Sequence, residues 1–183
     1  MNGRLMLCCL LFLLVVTADN AQSSPGESTP LSPALQSMVF KLGEWRWEAR
    51  GLTGPGDSAL HDGVGYSRVY PVNDGHALID DHRIEWDNGV VYRAITYRTV
   101  DPASGDLMVV WAQADSGSTL KIDASWADGR YREINRGEDG FGRWTNTLTI
   151  DDIGADSHSA RLIRRYESGL EIPILQYRAT RMQ

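Results

Sequence analysis

Asp80 and His82 stand two residues apart in a stretch that alternates apolar and polar side chains. On an extended strand such residues share a face, about 6–7 Å from each other. A carboxylate at that distance can orient or charge an imidazole, the elementary unit of acid–base chemistry. If Asn88-Gly89 forms a two-residue hairpin turn, Asp80 stands opposite Tyr97, His82 opposite Ile95, Ile84 opposite Arg93 and Trp86 opposite Val91. Asp80, His82, Trp86, Arg93 and Tyr97 then look inward. Asp81, Arg83, Glu85 and Asp87 form the solvent face. No nucleophile or oxyanion hole accompanies the group, so a satisfied polar cluster bracing the fold is its simpler reading.

The same turn logic continues along the chain. Through Ser116-Gly117, Leu107, Val109, Trp111 and Gln113 pair with Trp126, Ala124, Ile122 and Leu120. Through Asp128-Gly129, Trp126 faces Tyr131 and Ala124 faces Glu133. Through Asp139-Gly140, Asn135 faces Trp144, Glu133 faces Asn146 and Tyr131 faces Leu148. The faces assigned through three successive turns agree. They place Glu133, Asn135 and Asn146 on the inner surface as a second polar cluster, suited to a ligand's polar head or to a buried water.

Other candidate chemistry is thinner. The histidines are His61, His76, His82 and His158. None falls in a zinc-binding pair, so no metal site is expected. His82 or His158 could serve as a single axial ligand to haem. Asp151, Asp152 and Asp156 share a loop without the alternating oxygen spacing of an EF-hand, and read as solvated. Gly63-Val64-Gly65 lacks the third glycine and the helix of a dinucleotide site. Arg164-x-Tyr166 resembles the carboxylate grip of fatty-acid-binding proteins, but an exposed Arg164 is the expected placement. The outward Arg130, Arg132, Arg136 and Arg143 read as a solvated sheet face rather than a partner site.

The elements that carry these residues follow from period and turns. After Gly43 the apolar period is two, and Gly-containing turns recur every 8–12 residues or so. About ten strands are predicted, at 43–51, 62–71, 76–87, 90–101, 106–115, 118–127, 130–138, 141–151, 157–167 and 170–181. No long helical pattern intervenes, which excludes a parallel α/β fold. Ten sequential strands predict an up-and-down antiparallel barrel that removes its own edges by closing. One short helix precedes them, with Ser32 as N-cap, Pro33 at its first position and Leu35, Met38, Val39 and Leu42 as an apolar stripe at α-helical spacing. The faces of the last two strands stay open in the pattern.

The inner surface read this way is aromatic and polar at once: Trp45, Trp47, Trp86, Trp111, Trp126, Trp144, Tyr97 and Tyr131 beside Asp80, His82, Arg93, Gln113, Glu133, Asn135 and Asn146. Buried ionisable groups must be paired or solvated. Such a surface implies a tight network or a wet cavity, and a ten-stranded barrel has room for one.

The 183 residues, 42% of them apolar, fit one globular domain. The net charge of −6 gives no footprint for nucleic acid or anionic membrane. Arg4 followed by the apolar run Leu5 to Val16 reads as a secretory signal peptide over 1–18, cleaved after Ala18 or, alternatively, Ala21. Cys8 and Cys9 lie inside it in no lipoprotein context, so the mature chain is cysteine-free and not lipidated. A Ser- and Pro-rich leader over 19–32 is predicted to be disordered. The domain proper is 33–183. The expected location is the periplasm or the exterior of a bacterium, with no membrane insertion after signal cleavage.

Gly43-Glu44-Trp45 opening the first strand resembles the Gly-x-Trp signature of the calycins. Further segments resemble a narrower lipocalin-like group, the bacterial domain-of-unknown-function 1579 family. They are Leu42-Gly43-Glu44-Trp45 after a short helix, Tyr97-Arg98-Thr99-Val100-Asp101, Trp111-Ala112-Gln113-Ala114-Asp115, Thr149-Ile150-Asp151-Asp152 and Gln176-Tyr177-Arg178. The family usually has Gly-Tyr-Asp where Tyr97 to Asp101 stand, and an acidic residue in place of Gln113. The resemblance implies a small β-barrel with an internal pocket, and no established reaction.

The functional expectation is a non-enzymatic binder of a small amphipathic or hydrophobic ligand. Its expected pocket residues are Trp47, Asp80, His82, Trp86, Arg93, Tyr97, Trp111, Gln113, Trp126, Tyr131, Glu133, Asn135, Trp144 and Asn146. No cofactor is expected. The alternatives are a small-molecule lyase, isomerase or hydrolase using Asp80, His82 and Tyr97 or Glu133, a haem-binding barrel of nitrobindin type, and a filled barrel acting through its surface.

Overall fold

The computed structural model describes residues 29–183 except Pro55. The predicted signal peptide and residues 19–28 of the predicted leader lie outside the described residues. The leader's end, 29–32, belongs to the fold rather than to a disordered segment. Leu31 is buried in the core, and the Ser32 amide donates to the Gly75 carbonyl at 3.0 Å.

Ten antiparallel strands form one closed barrel: β1 (Gly43–Gly51), β2 (His61–Val72), β3 (Ala77–Trp86), β4 (Val91–Val100), β5 (Leu107–Gln113), β6 (Thr119–Ala127), β7 (Arg130–Asp139), β8 (Gly142–Asp151), β9 (Ser157–Tyr166) and β10 (Glu171–Arg181). Each strand pairs with its neighbours in sequence, and β1 closes on β10. This is the up-and-down barrel that the alternation and turn spacing predict. Among the described residues, closure leaves no strand edge for intermolecular pairing. Among the described residues, no helix is long and apolar enough to cross a membrane.

The leading helix is 3₁₀ over Pro33–Lys41, and Ser32 makes no side-chain cap. Three residues per turn put i, i+3 and i+6 on one face. The inward face is therefore Leu35, Met38 and Lys41, all buried, whereas Val39 is exposed. The α-helical stripe expected over Leu35, Met38, Val39 and Leu42 is corrected by this tighter period. The helix plugs one end of the barrel: Leu35 and Met38 join Trp45, Val69, Leu78, Tyr131 and Ile150 in the core. The Trp45 indole donates to the Lys41 carbonyl at 2.8 Å and pins the helix's last turn.

Gly63 and Gly65 give β2 two inner positions with no side chain. A Cβ on Gly65 would lie 2.7 Å from the Trp47 ring, and one on Gly63 would lie 2.7 Å from Trp86. The indoles lie against bare backbone, a geometric use for a Gly-x-Gly pair. Gly65→Ala should push Trp47 off its stack on Tyr177, whose ring centroid is 4.4 Å away. The expected loss is about 1–3 kcal/mol of stability with a red-shifted tryptophan emission, read by urea denaturation and fluorescence. Unchanged emission and stability would show that the close approach is not tight.

Candidate functional site

Asp80 is delivered by the middle of β3, and its strand neighbours decide what meets it. The register pairs Asp80 with Thr96, His82 with Ala94 and Ile84 with Tyr92. It differs by one residue from that of a two-residue turn. The hairpin loop spans Asp87, Asn88 and Gly89, with the Trp86 amide donating to the Val90 carbonyl at 2.9 Å and Gly89 at φ 84°. This is the three-residue hairpin with a left-handed glycine at its end. A one-residue shift exchanges the faces of β4. Arg93 and Tyr97 therefore point outward, which corrects their expected place in the pocket. Arg93 pairs with Asp115 at 3.6 Å on the surface. Tyr92, Ala94, Thr96 and Arg98 point inward in their stead.

Arg98 becomes the hub of a buried ionic cluster. Its Nη1 donates to Asp80 Oδ2 at 3.1 Å. Its Nε and Nη2 donate to Glu133 Oε1 at 3.0 and 2.8 Å. Lys41 Nζ, at the end of the 3₁₀ helix, lies 3.3 Å from the same Asp80 oxygen. The Tyr131 hydroxyl donates to Glu133 Oε1 at 2.9 Å. Lys41, Asp80, Arg98 and Glu133 are all under 10% exposed. Two cations and two anions cancel, which is what allows four charges to remain buried.

The cluster sets its members' protonation. Burial works against the Asp80 carboxylate, but the charges of Lys41 and Arg98 and the His82 ring outweigh it and hold its pKa well below the usual carboxylate range. Burial lowers the Lys41 ammonium, and Arg98 adds to this, against the attraction of Asp80 and Glu133. Burial raises the Tyr131 hydroxyl, with the charge of Glu133 acting in the same direction. His82 Nδ1 faces Asp80 Oδ1 at 3.5 Å and lies 3.2 Å from the Asp80 carbonyl oxygen.

Next to this cluster lies a cavity of about 300 Å³, lined on one side by Lys41, Asp80, Arg98 and Glu133. Its walls include Trp47, Tyr92, Trp111, Ile122, Leu148 and Tyr177. Leu120 also lines it and is 40% exposed, so the cavity reaches solvent there. The Trp111 indole donates to the Tyr92 hydroxyl at 2.7 Å and ties β5 to β4 across the wall. At about 30 Å³ per molecule, the space corresponds to roughly ten waters.

Of the pocket residues expected from sequence, Trp47, Asp80, His82, Trp111, Glu133, Asn135 and Asn146 line this cavity. Trp86 and Tyr131 are buried inside the barrel but are not part of the lining. Trp126 is half-exposed and packs edge-on against Phe40 of the plug, centroids 5.8 Å apart. Gln113 reaches the end of β5, where its side chain accepts from the Ser116 hydroxyl at 3.1 Å. Trp144 stacks under Arg164, whose guanidinium carbon is 4.2 Å from the ring centre. Arg164 is thus engaged inside the barrel end, donating to Asn146 Oδ1 at 3.0 Å, and not exposed as expected. Around Asp139-Gly140 the pairing is Asn135 with Asn146 and Tyr131 with Ile150. Around Ser116-Gly117, Trp111 faces Leu120 and Val109 faces Ile122. Both registers move by two residues, which changes partners and preserves faces.

On β10 a bulge between Pro173 and Leu175 interrupts the pairing with β9. As a result both Ile174 and Leu175 line the cavity. Lys41, Arg98, Tyr92, Thr96 and Tyr177 are the polar and aromatic lining residues that sequence reasoning missed. For Arg98 the usable signal was the left-handed glycine of a three-residue hairpin.

Of the expected acid–base group, Tyr97 is on the outer face, while Asp80, His82 and Glu133 line the cavity together. The two histidines expected as possible haem ligands are placed differently. His158 is 1% exposed, closed in by Phe40, Trp45 and Tyr177 at centroid distances of 5.7, 4.7 and 6.0 Å, and does not line the cavity. His82 lines it. Among the described residues, no group of three or more His, Cys, Asp or Glu is placed to hold a metal ion. Asp151 and Asp156 are engaged by Arg161 at 2.9 Å and Arg181 at 3.2 Å. The outer arginines Arg132, Arg136 and Arg143 face Asp128, Asp123 and Glu167 at 3.2–3.7 Å.

No protein-family pattern matches the chain, and no curated protein matches it. Among solved structures, Rv2717c from M. tuberculosis superposes with a TM-score of 0.58 at 15% identity, over 84% of this chain and 100% of that one. The likeness shows the fold. A protein of unknown function from the DUF3598 family of Nostoc punctiforme matches over 83% of this chain and 100% of its own, at 8% identity and a TM-score of 0.24.

Proposed function

We propose that this barrel is a carrier or receptor for a small amphipathic molecule, exported as its N-terminal apolar run suggests, and a relative of the lipocalin-like domain-of-unknown-function 1579 proteins. The observation that carries the reading is the two-sided cavity, with aromatic and aliphatic walls over a charge-balanced polar floor. An apolar body is held by burial, at about 25 cal/mol per Å² of apolar surface removed from water. A polar end is oriented by a few fixed groups, here His82, Asn135, Asn146 and the ionic cluster. Because the four buried charges already cancel, the polar end of the ligand is neutral. A carboxylate or ammonium would leave one charge of the cluster unmatched.

The test is native mass spectrometry of the protein purified gently from its own source, beside Leu148→Trp, which fills the cavity. The wild type should carry an extra mass that leaves on denaturation, and the variant should not. The variant should keep its fold at a cost of about 1–3 kcal/mol. Clean, identical spectra for both proteins would overturn the carrier reading.

A further inference from the structure

Lys41 is one of two lysines in the chain; the other is Lys121. Lys121 lies exposed on the outside of β6. Lys41 is inside, 2% exposed, on the lining of the cavity with its ammonium 3.3 Å from Asp80. Surface lysines are plentiful in most proteins, yet here the single other lysine is buried against an apolar chamber, where an arginine would serve a purely structural ion pair better. The 3₁₀ period is what aims it there, since an α-helical turn would have brought Val39 and Leu42 inward.

Resting on the ligand-binding reading above, we infer that Lys41 is a covalent anchor for a carbonyl ligand, forming a Schiff base with an aldehyde or ketone held in the cavity. The ammonium first gives up a proton. The free amine of Nζ then attacks the carbonyl carbon, forming a C–N bond. The carbonyl oxygen takes up two protons in all and leaves as water. The net change is Lys–NH3⁺ plus O=CHR giving Lys–NH⁺=CHR plus water, with no oxidant or reductant. Burial and the nearby Arg98 charge both favour the uncharged amine, the state that is nucleophilic.

Charge conservation selects the ligand class. The iminium keeps the single positive charge of Lys41, so Asp80 stays paired and the cluster stays neutral. Acyl or phosphoryl transfer to the same nitrogen would remove that charge, leaving two buried anions against Arg98 alone. A carbonyl compound with an apolar body therefore fits this floor, and an activated ester does not. His82, 3.5 Å from Asp80, is placed within the same lining to relay protons as the water departs.

The probe is 2-naphthaldehyde with sodium cyanoborohydride, which fixes an imine as a stable amine, followed by intact mass and peptide mapping. Its alcohol, 2-naphthalenemethanol, has the same body without the carbonyl and reports binding alone by tryptophan quenching. The expected result is one naphthylmethyl group per chain, on Lys41, at least about ten-fold faster than on Lys121 or the α-amine. Excess alcohol should suppress it. Lys41→Met should abolish the adduct, and Lys121→Arg should leave it unchanged. Labelling of Lys121 as fast as Lys41, in a protein that binds the alcohol, overturns the anchor and leaves the pocket standing. No binding of the alcohol and no labelling of Lys41 overturns both. If Lys41→Met does not fold, the selectivity between the two lysines of the wild type still decides.

Discussion

Arg98→Met should lower the free energy of unfolding by about 3–5 kcal/mol, the loss expected when one partner is taken from a buried ion pair. Arg98 is 3% exposed and makes three hydrogen bonds to two carboxylates. Without it, Asp80 keeps only Lys41 as a close cation, and Glu133 keeps only the Tyr131 hydroxyl. Methionine fills most of the volume, so the loss reports charge and not a void. Urea denaturation at pH 7 is the measurement, with an unchanged slope showing that the same surface unfolds. Adding Glu133→Gln to Arg98→Met removes the stranded anion and should recover part of the loss. A single-variant loss under about 1 kcal/mol would mean that the cluster is solvated and not a dry floor.

Acid should weaken the fold through His158 before it reaches the Asp80 carboxylate. Burial, reinforced by the Lys41 charge, lowers the His158 pKa to about 3 from its ordinary value of 6.5. The folded protein therefore keeps this ring neutral while the unfolded chain protonates it. Stability attributable to His158 is full above pH 6.5 and is lost as pH falls toward about 3. Each pH unit inside that window is worth about 1.4 kcal/mol, so about 3 kcal/mol is gone by roughly pH 4. Asp80, held well below the usual range, gives up its contribution only under more acid conditions. His158→Phe isolates the effect. Among the described residues neither ring nitrogen has a hydrogen-bond partner, and the neighbours are aromatic, so the variant loses no bond seen there. The stability difference between variant and wild type should widen from pH 7 to pH 4. A constant difference would place another group at the origin of the acid sensitivity.

The barrel was legible in sequence because its signal is redundant. Ten alternating runs with glycine turns constrain one another, and every observed strand lies within about two residues of its expected bounds. The β5–β8 faces were legible even where registers moved by two, since side chains alternate with period two. The β4 face was not, because Asn88-Gly89 serves equally as a two-residue turn and as the end of a three-residue loop, and only backbone dihedrals separate the two. That single residue exchanged Arg93 and Tyr97 for Arg98 and Tyr92, and with them the hub of the site. Lys41 was hidden for a parallel reason. A nine-residue 3₁₀ helix is rare, and at α-helical spacing its buried face is read wrongly. The β10 bulge at Ile174 leaves no mark in an apolar run. The fold thus follows from many weak signals that agree, whereas the site depends on three local backbone choices that pattern does not report.

Nine of the ten strand pairings join neighbours in sequence, and the tenth, β1 with β10, brings Trp45 to Arg181. Ordering the nine requires only short loops to close, whereas the seam must confine nearly the whole domain at once. The seam should thus be the slow, late step on the way to the native state, read by pulsed amide exchange during refolding. Arg181 reaches across it to the Leu42 carbonyl at 2.5 Å, and the Met182 amide donates to the Glu44 carbonyl at 2.8 Å. These bonds fasten the last strand beside the helix that carries Lys41, so zipping of the seam should couple to seating of the plug.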